Sequence, residues 1–228
     1  MMPAQDTRVT NWFYADCLAD YYGVESFSDR HFEICENFIK TAVENGINMI
    51  LMPVFTPPLD TAVNGERTTT QLVGVTVDGG KYTFDFTLAE RWLDMCDRVG
   101  VKYIEVAHLF TQWGAYHAPK IMATVDGEYK RIFGWDTDAA GEEYVTFLQA
   151  FLTEFTALLE KRGDKERTYF HISDEPNEKH LEQYKTNREN VLKVLDGWKI
   201  LILLKNRKQK KIFLFCQQKK MIQIPLQL

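Results

Sequence analysis

Three times in this chain a helical pattern ends at a glycine and leads into a short apolar stretch. The pattern over 29–45 stops at Gly46 before INMILMPV (47–54), the one beginning at Thr87 stops at Gly100 before VKYIEVAHL (101–109), and the one over 139–162 stops at Gly163 shortly before RTYFHIS (167–173). Short continuous apolar runs of this kind mark strands buried on both faces, as in parallel sheets whose crossover helices cover them. The repeated unit predicts an α/β fold with a parallel sheet. No glycine-rich phosphate loop follows the first strand, so a dinucleotide-binding fold loses its main support. A (β/α)8 TIM-barrel type, incomplete at about four to five βα units, is expected instead.

Local signals fill in the elements. Ser28 is placed to cap the first of these helices, with Phe32, Cys35, Phe38, Ile39, Ala42 and Val43 on its apolar face. Thr87 and Glu90 have capping-box spacing, and Leu88, Trp92, Leu93, Cys96 and Val99 form the stripe behind them. The helix over 139–162 turns Tyr144, Phe147, Leu148, Phe151, Phe155, Leu158 and Leu159 inward. A fourth helix is expected from an Asn177 cap to about Leu195, ended by Gly197. Asn11–Tyr22 is rich in aromatics and is expected to be extended. Two β-hairpins are expected as loop insertions, one turning at Asp78-Gly79-Gly80 and one within VDGEYKRIF (125–133).

Composition bounds the function classes. At 228 residues and 45% hydrophobic content, one substantial core is the default. The net charge of −5 hides an asymmetry: residues 199–228 hold eight Lys/Arg and no acid, leaving nineteen basic against thirty-two acidic residues before them. Cys17, Cys35, Cys96 and Cys216 have neither metal spacing nor disulfide density, so free buried thiols are expected. The N-terminus has no apolar signal core, and no run reaches the roughly 20 apolar residues of a membrane span. Neither a membrane nor a nucleic-acid partner is expected, and the oligomeric state stays open.

In a parallel barrel the active site gathers at the C-terminal ends of the strands. Asp60 follows the first apolar run, His108, Trp113 and His117 follow the second, and Asp174 and Glu175 follow the third. Adjacent residues in a straight strand point to opposite faces, so the two acids share a pocket only where the backbone turns, which Pro176 favours. Neighbours only about 3.8 Å apart at Cα cannot flank a scissile bond as an acid and a nucleophile must. Substrate-assisted hydrolysis removes the conflict: the 2-acetamido oxygen of an N-acetylhexosamine attacks its own anomeric carbon. Glu175 then protonates the leaving oxygen while Asp174 orients the acetamido N–H. As a bare tripeptide, Asp-Glu-Pro at a helix entrance also serves capping and the helix dipole. His171 is in phase with Ser173 and is either a core histidine or a substrate contact; Trp113 and Trp135 suit either sugar platforms or packing. A metal reading of His171, Asp174, Glu175 and His180 matches no zinc signature, so no metal and no cofactor is expected.

The segments WFYADCLADYY, GINMILMPVFTPPLDT, YIEVAHLFTQWGAYHAPKIMA, RIFGWDT and FHISDEPNEKHLEQY, spread over about residues 8–200, resemble the family 123 glycoside hydrolases and their barrel relatives. That resemblance implies a (β/α)8 barrel and an exo-acting β-N-acetylgalactosaminidase-like activity on an N-acetylhexosamine-containing glycan. Asp174 would match the family's acetamido-orienting Asp and Glu175 its general acid, with Asp60, His108, Trp113, His117, Trp135 and His171 around the sugar. An inactive barrel remnant, or a glycan-binding protein without catalysis, is the alternative. Full-length relatives would be exported and carry an upstream β-sandwich. The family-like domain is expected to span 8–200. The atypical basic and apolar stretch 201–228 is expected to fall outside it, as the shifted-frame end of a gene fragment. A second reading makes Leu201–Leu204 and Ile212–Phe215 two real strands.

Overall fold

The computed structural model describes residues 7–112, 114–173, 181–206 and 211–217, beyond Leu201 as backbone only. In chain order its first half runs β1 (Thr10–Asn11), α1 (Ala15–Tyr22), α2 (Asp29–Glu44), β2 (Met49–Met52), β3 (Gly74–Asp78), β4 (Lys81–Asp85), α3 (Thr87–Val99) and β5 (Tyr103–Val106). The second half runs β6 (Ile121–Val125), β7 (Glu128–Phe133), α4 (Glu142–Arg162), β8 (Thr168–His171), α5 (Leu181–Leu192), β9 (Lys199–Asn206) and β10 (Lys211–Gln217), with a 3-10 turn at Lys165–Arg167.

The larger sheet has the order β1-β2-β5-β8-β9-β10. Its first five strands are mutually parallel, and β10 returns antiparallel along β9. No closed barrel forms among the described residues; the sheet is open. The two segments of the basic stretch that could be strands are strands in the backbone, and β9 continues the parallel order.

The helix-to-strand junctions obey the glycine rule. Gly100 and Gly163 take φ of +84° and +81°, where a side chain would be strained, and their N–H groups return to the last helical carbonyls. Gly100 leads almost at once into β5, and Gly163 reaches β8 through the 3-10 turn at Lys165–Arg167. Registers then decide the faces. Ile50, Ile104, Val106, Phe170 and Ile200 join the large core that contains the helix residues Phe32, Ile39, Trp92 and Phe155. The opposite face carries Met49, Tyr103, Glu105, Tyr169, His171 and Leu201. That second face holds Glu105 and His171 beside the smaller cluster of Met49, Tyr169 and Leu201.

The two hairpins build a second sheet, β4-β3-β6-β7. Their turns use positive φ at Gly79 and Gly80 and at Asp126 and Gly127, as expected for tight hairpins. This sheet lies over α4: Tyr82, Phe84 and Phe133 pack edge-on or tilted against Phe147, at centroid distances of 5.1, 5.8 and 5.0 Å. The insertions thus supply one wall of the aromatic core.

Three local expectations are corrected. Asn11–Tyr22 is extended only at its start, because from Ala15 it is helical: Ala15 and Ala19 pack inward, and Gly23 at φ +61° returns its N–H to Ala19 and Asp20. Thr87 does not cap α3 but is its first residue; the Asp85 carboxylate accepts from the Thr87 N–H at 2.9 Å and from its hydroxyl at 2.6 Å. In α2, capped by Ser28 as expected, Phe38 is 45% exposed while His31 is fully buried. His31 Nδ1 accepts the Phe27 N–H at 2.8 Å, leaving Nε2–H for the Ala15 carbonyl at 2.9 Å, and burial lowers its pKa. A polar residue held on two sides can occupy a core position that an apolar ring leaves.

Cys17 is free but exposed, whereas Cys35 and Cys96 are free and buried. Burial pushes both inner thiols up to about 12, so at pH 8 they are protonated and shielded. Iodoacetamide at pH 8 should alkylate Cys17 in the native chain and spare Cys35 and Cys96 until denaturant is added. Peptide mass spectrometry checks this; rapid native labelling at Cys96 would contradict the burial of α3.

Candidate active site

The path to the acid pair is fixed up to Ser173. Past the end of β8 the chain stays zipped to the loop after β5: the Leu109 N–H donates to the His171 carbonyl and the Phe110 N–H to that of Ile172, both at 3.1 Å. The Ser173 hydroxyl then donates to the Thr111 carbonyl at 2.8 Å. Asp174, Glu175, His180 and the expected Asn177 cap lie outside the described residues, as does Trp113.

Beneath this strand end is a buried polar cluster. Glu105 and His171 are 0% exposed, and His108 is 2% exposed. One Glu105 oxygen accepts from the Trp12 indole N–H and pairs with His171 Nδ1, both at 2.9 Å, while the other accepts from the Thr10 hydroxyl. His108 stacks on His171 with centroids 3.6 Å apart and planes 35° off parallel, and Trp12 meets His108 edge-on at 5.2 Å. Burial and the neighbouring His171 hold His108 well below the usual histidine range, hence neutral. Both His108 nitrogens and His171 Nε2 are buried without a hydrogen-bond partner. Of the three histidines expected near the sugar, His108 and His171 therefore sit together, buried and not on an open rim.

Asp60, His117 and Trp135 stand on the loops after β2, β5 and β7. Asp60, exposed and at φ +54°, accepts the Tyr14 hydroxyl at 2.7 Å; burial, followed by this bond, pushes the Tyr14 phenol up. Arg67 lies over the Tyr14 ring at 4.1 Å and makes a two-point pair with Asp16 at 2.7 and 3.0 Å. Gln112 accepts the Asp60 N–H and donates to the Thr61 carbonyl, tying the loops after β2 and β5. Trp135 donates its indole N–H to Gly65 at 3.0 Å and packs near His117, with centroids 5.8 Å apart. A shallow cleft of about 20 Å³ lies beside Trp135, with Arg67, Lys120 and Arg131 in its lining.

Among the described residues no three His, Cys, Asp or Glu side chains converge as a metal site. Stacked imidazoles cannot aim their nitrogens at one ion, and both Glu105 oxygens already accept donors. What the cluster can do is hold a histidine in one tautomer.

Sequence reasoning missed Glu105, along with its donors Thr10 and Trp12. The signal was present: an acid between Ile104 and Val106, inside an otherwise apolar run, survives burial only when several donors hold it.

The protein is an open, mostly parallel α/β sheet, a class that binds ligands outside the carboxyl ends of its strands. The family model for the glycoside hydrolase 123 catalytic domain matches residues 12–220, and the chain belongs to that family. The matched stretch includes β9 and β10, beyond the point at Ile200 where the visible likeness ended. A solved structure concerned with glycolipid glycan hydrolysis, that of a family 123 glycoside hydrolase from Clostridium perfringens, is similar. It has a TM-score of 0.64 at 15% identity, covering 88% of this chain and 35% of that one. This chain thus spans about a third of that enzyme's length. No curated protein matches the chain.

Proposed function

We propose that this chain carries the acid pair of a retaining, exo-acting β-N-acetylgalactosaminidase-like glycoside hydrolase, built on part of a (β/α)8 barrel. The observation that carries the reading is the family match across β8, in which the strand leading to Asp174 and Glu175 is anchored through Ser173. The open parallel sheet and its solved neighbour support the barrel-like ancestry.

In this mechanism Asp174 accepts the acetamido N–H and turns the amide oxygen toward the anomeric carbon. That oxygen forms a bond to the carbon as the glycosidic bond breaks, and Glu175 gives its proton to the departing oxygen. Water then opens the resulting cyclic intermediate with Glu175 as base, restoring its proton and retaining the anomeric configuration. Trp135 suits a sugar platform, because its N–H is already engaged and its ring is only partly buried. His171 and His108 would form the floor, while Asp60, His117 and Trp113 would complete the walls.

The test compares 4-nitrophenyl N-acetyl-β-galactosaminide with the plain β-galactoside. Turnover of the acetamido sugar alone is expected; equal turnover of the two would remove substrate assistance.

A further inference from the structure

We propose that Glu105 is a positioning residue for this hydrolysis, holding His171 in its Nδ1–H tautomer and in one ring orientation within the strand that leads to the acid pair. The proposal rests on the reading of Asp174 and Glu175 given above. The tautomer follows from the donors. Indole N–H can only donate, and the Glu105 oxygen that receives it from Trp12 is the same one that faces His171 Nδ1. That oxygen is an acceptor, so the proton between the pair belongs to Nδ1. Nε2 is buried and has no protein partner, and in the neutral ring it is the bare acceptor. Rotation of the ring is blocked on one side by His108, 3.6 Å away, and a flipped ring would put carbon against the carboxylate.

The arrangement is costly unless it does something. A carboxylate at 0% exposure must be compensated, and here the compensation comes from β1, the segment after it and β8 together. Metal-ligating histidines are commonly fixed in this way, by a carboxylate on the far ring nitrogen, and loss of that partner costs on the order of 10- to 100-fold; an effect of the same order is expected for a metal-free histidine oriented by the same bond.

The experiment labels the full 228-residue chain with 15N-histidine and reads the His171 tautomer from long-range proton–nitrogen correlations. Nδ1–H is expected in the wild type. It should persist in Glu105→Gln, whose amide oxygen still accepts from Trp12 and His171 while its NH₂ donates to Thr10. It should give way to Nε2–H in Glu105→Leu. In parallel, Glu105→Leu should lower kcat for the nitrophenyl N-acetyl-β-galactosaminide about 10- to 100-fold with KM changed less than about twofold, and Glu105→Gln should recover most of that loss. Where the leucine variant does not fold, Glu105→Asp replaces it, because the shorter side chain keeps the charge but withdraws it from the ring.

An Nε2–H or doubly protonated wild-type ring, an unchanged tautomer without the carboxylate, or an unchanged kcat despite a switched tautomer would each overturn the proposal. Glu175→Gln serves as the separate arm. If it hydrolyses an alkyl N-acetyl-β-galactosaminide at the wild-type rate, or if the wild type hydrolyses nothing, the glycosidase reading fails, while the His171 spectra still decide whether Glu105 sets the tautomer.

Discussion

Glu175→Gln should reduce kcat toward an N-acetyl-β-galactosaminide by about 10²- to 10⁴-fold, the usual contribution of a general acid. The amide keeps the size and hydrogen-bonding reach of the carboxyl but has no proton to give, so KM should change far less than kcat. The size of the loss should depend on the leaving group. Nitrophenolate departs with little help, whereas an alkyl or sugar alcohol needs its oxygen protonated as the bond breaks. The measurement is kcat for both aglycons with wild type and variant. A loss that is equal for the two, or absent, would remove Glu175 from the acid role. Asp174→Asn should depress both aglycons alike, because it acts on the attacking amide and not on the departing oxygen.

Phe151→Ala should destabilise the fold by about 3–5 kcal/mol and lower Tm by about 10 °C. Phe151 is fully buried at the middle of α4, stacked near-parallel on Phe147 and Phe155, with Phe55 only 4.7 Å away and Phe84 at 5.7 Å. Its removal opens a cavity where the helix, the hairpin sheet and the loop after β2 meet, and rings packed on all sides cannot collapse to fill it. Urea unfolding followed by tryptophan fluorescence checks the size of the effect. A cost under about 1 kcal/mol would mean that the hairpin sheet is loosely applied and not part of the core.

Much of the scaffold was legible because its signals are local. Glycine after a helix, Asp-Gly and Gly-Gly at a turn, and the 3.6-residue aromatic repeat of α4 each need no distant partner to declare themselves. The misreadings occur where tertiary contacts outweighed local preference. Aromatics near the start of Asn11–Tyr22 suggested strand, yet Ala15, Ala19 and Gly23 make its second half a helix. His31 took the core position on α2 because two backbone groups were waiting for its nitrogens, while Phe38 stayed partly in water. The parallel order was readable from the repeated βα unit. The antiparallel return of β10 was not, since a basic linker carries no directional cue. For the site, position along the chain showed that Asp60 follows β2 and that His108 follows β5. Which of them touch was invisible, because it depends on the register Glu105↔Tyr169 and on a tryptophan 93 residues away.

The partners of Glu105 lie 95, 93 and 66 residues from it along the chain. An intermediate with β5 docked but β1 and β8 still free would strand a desolvated anion with no donors, a state of high free energy. The three strands must therefore commit nearly together, after the nascent polypeptide has been made past His171. A cut anywhere between Trp12 and Glu105 would then be felt at the opposite end of the sheet as a slower, less cooperative assembly.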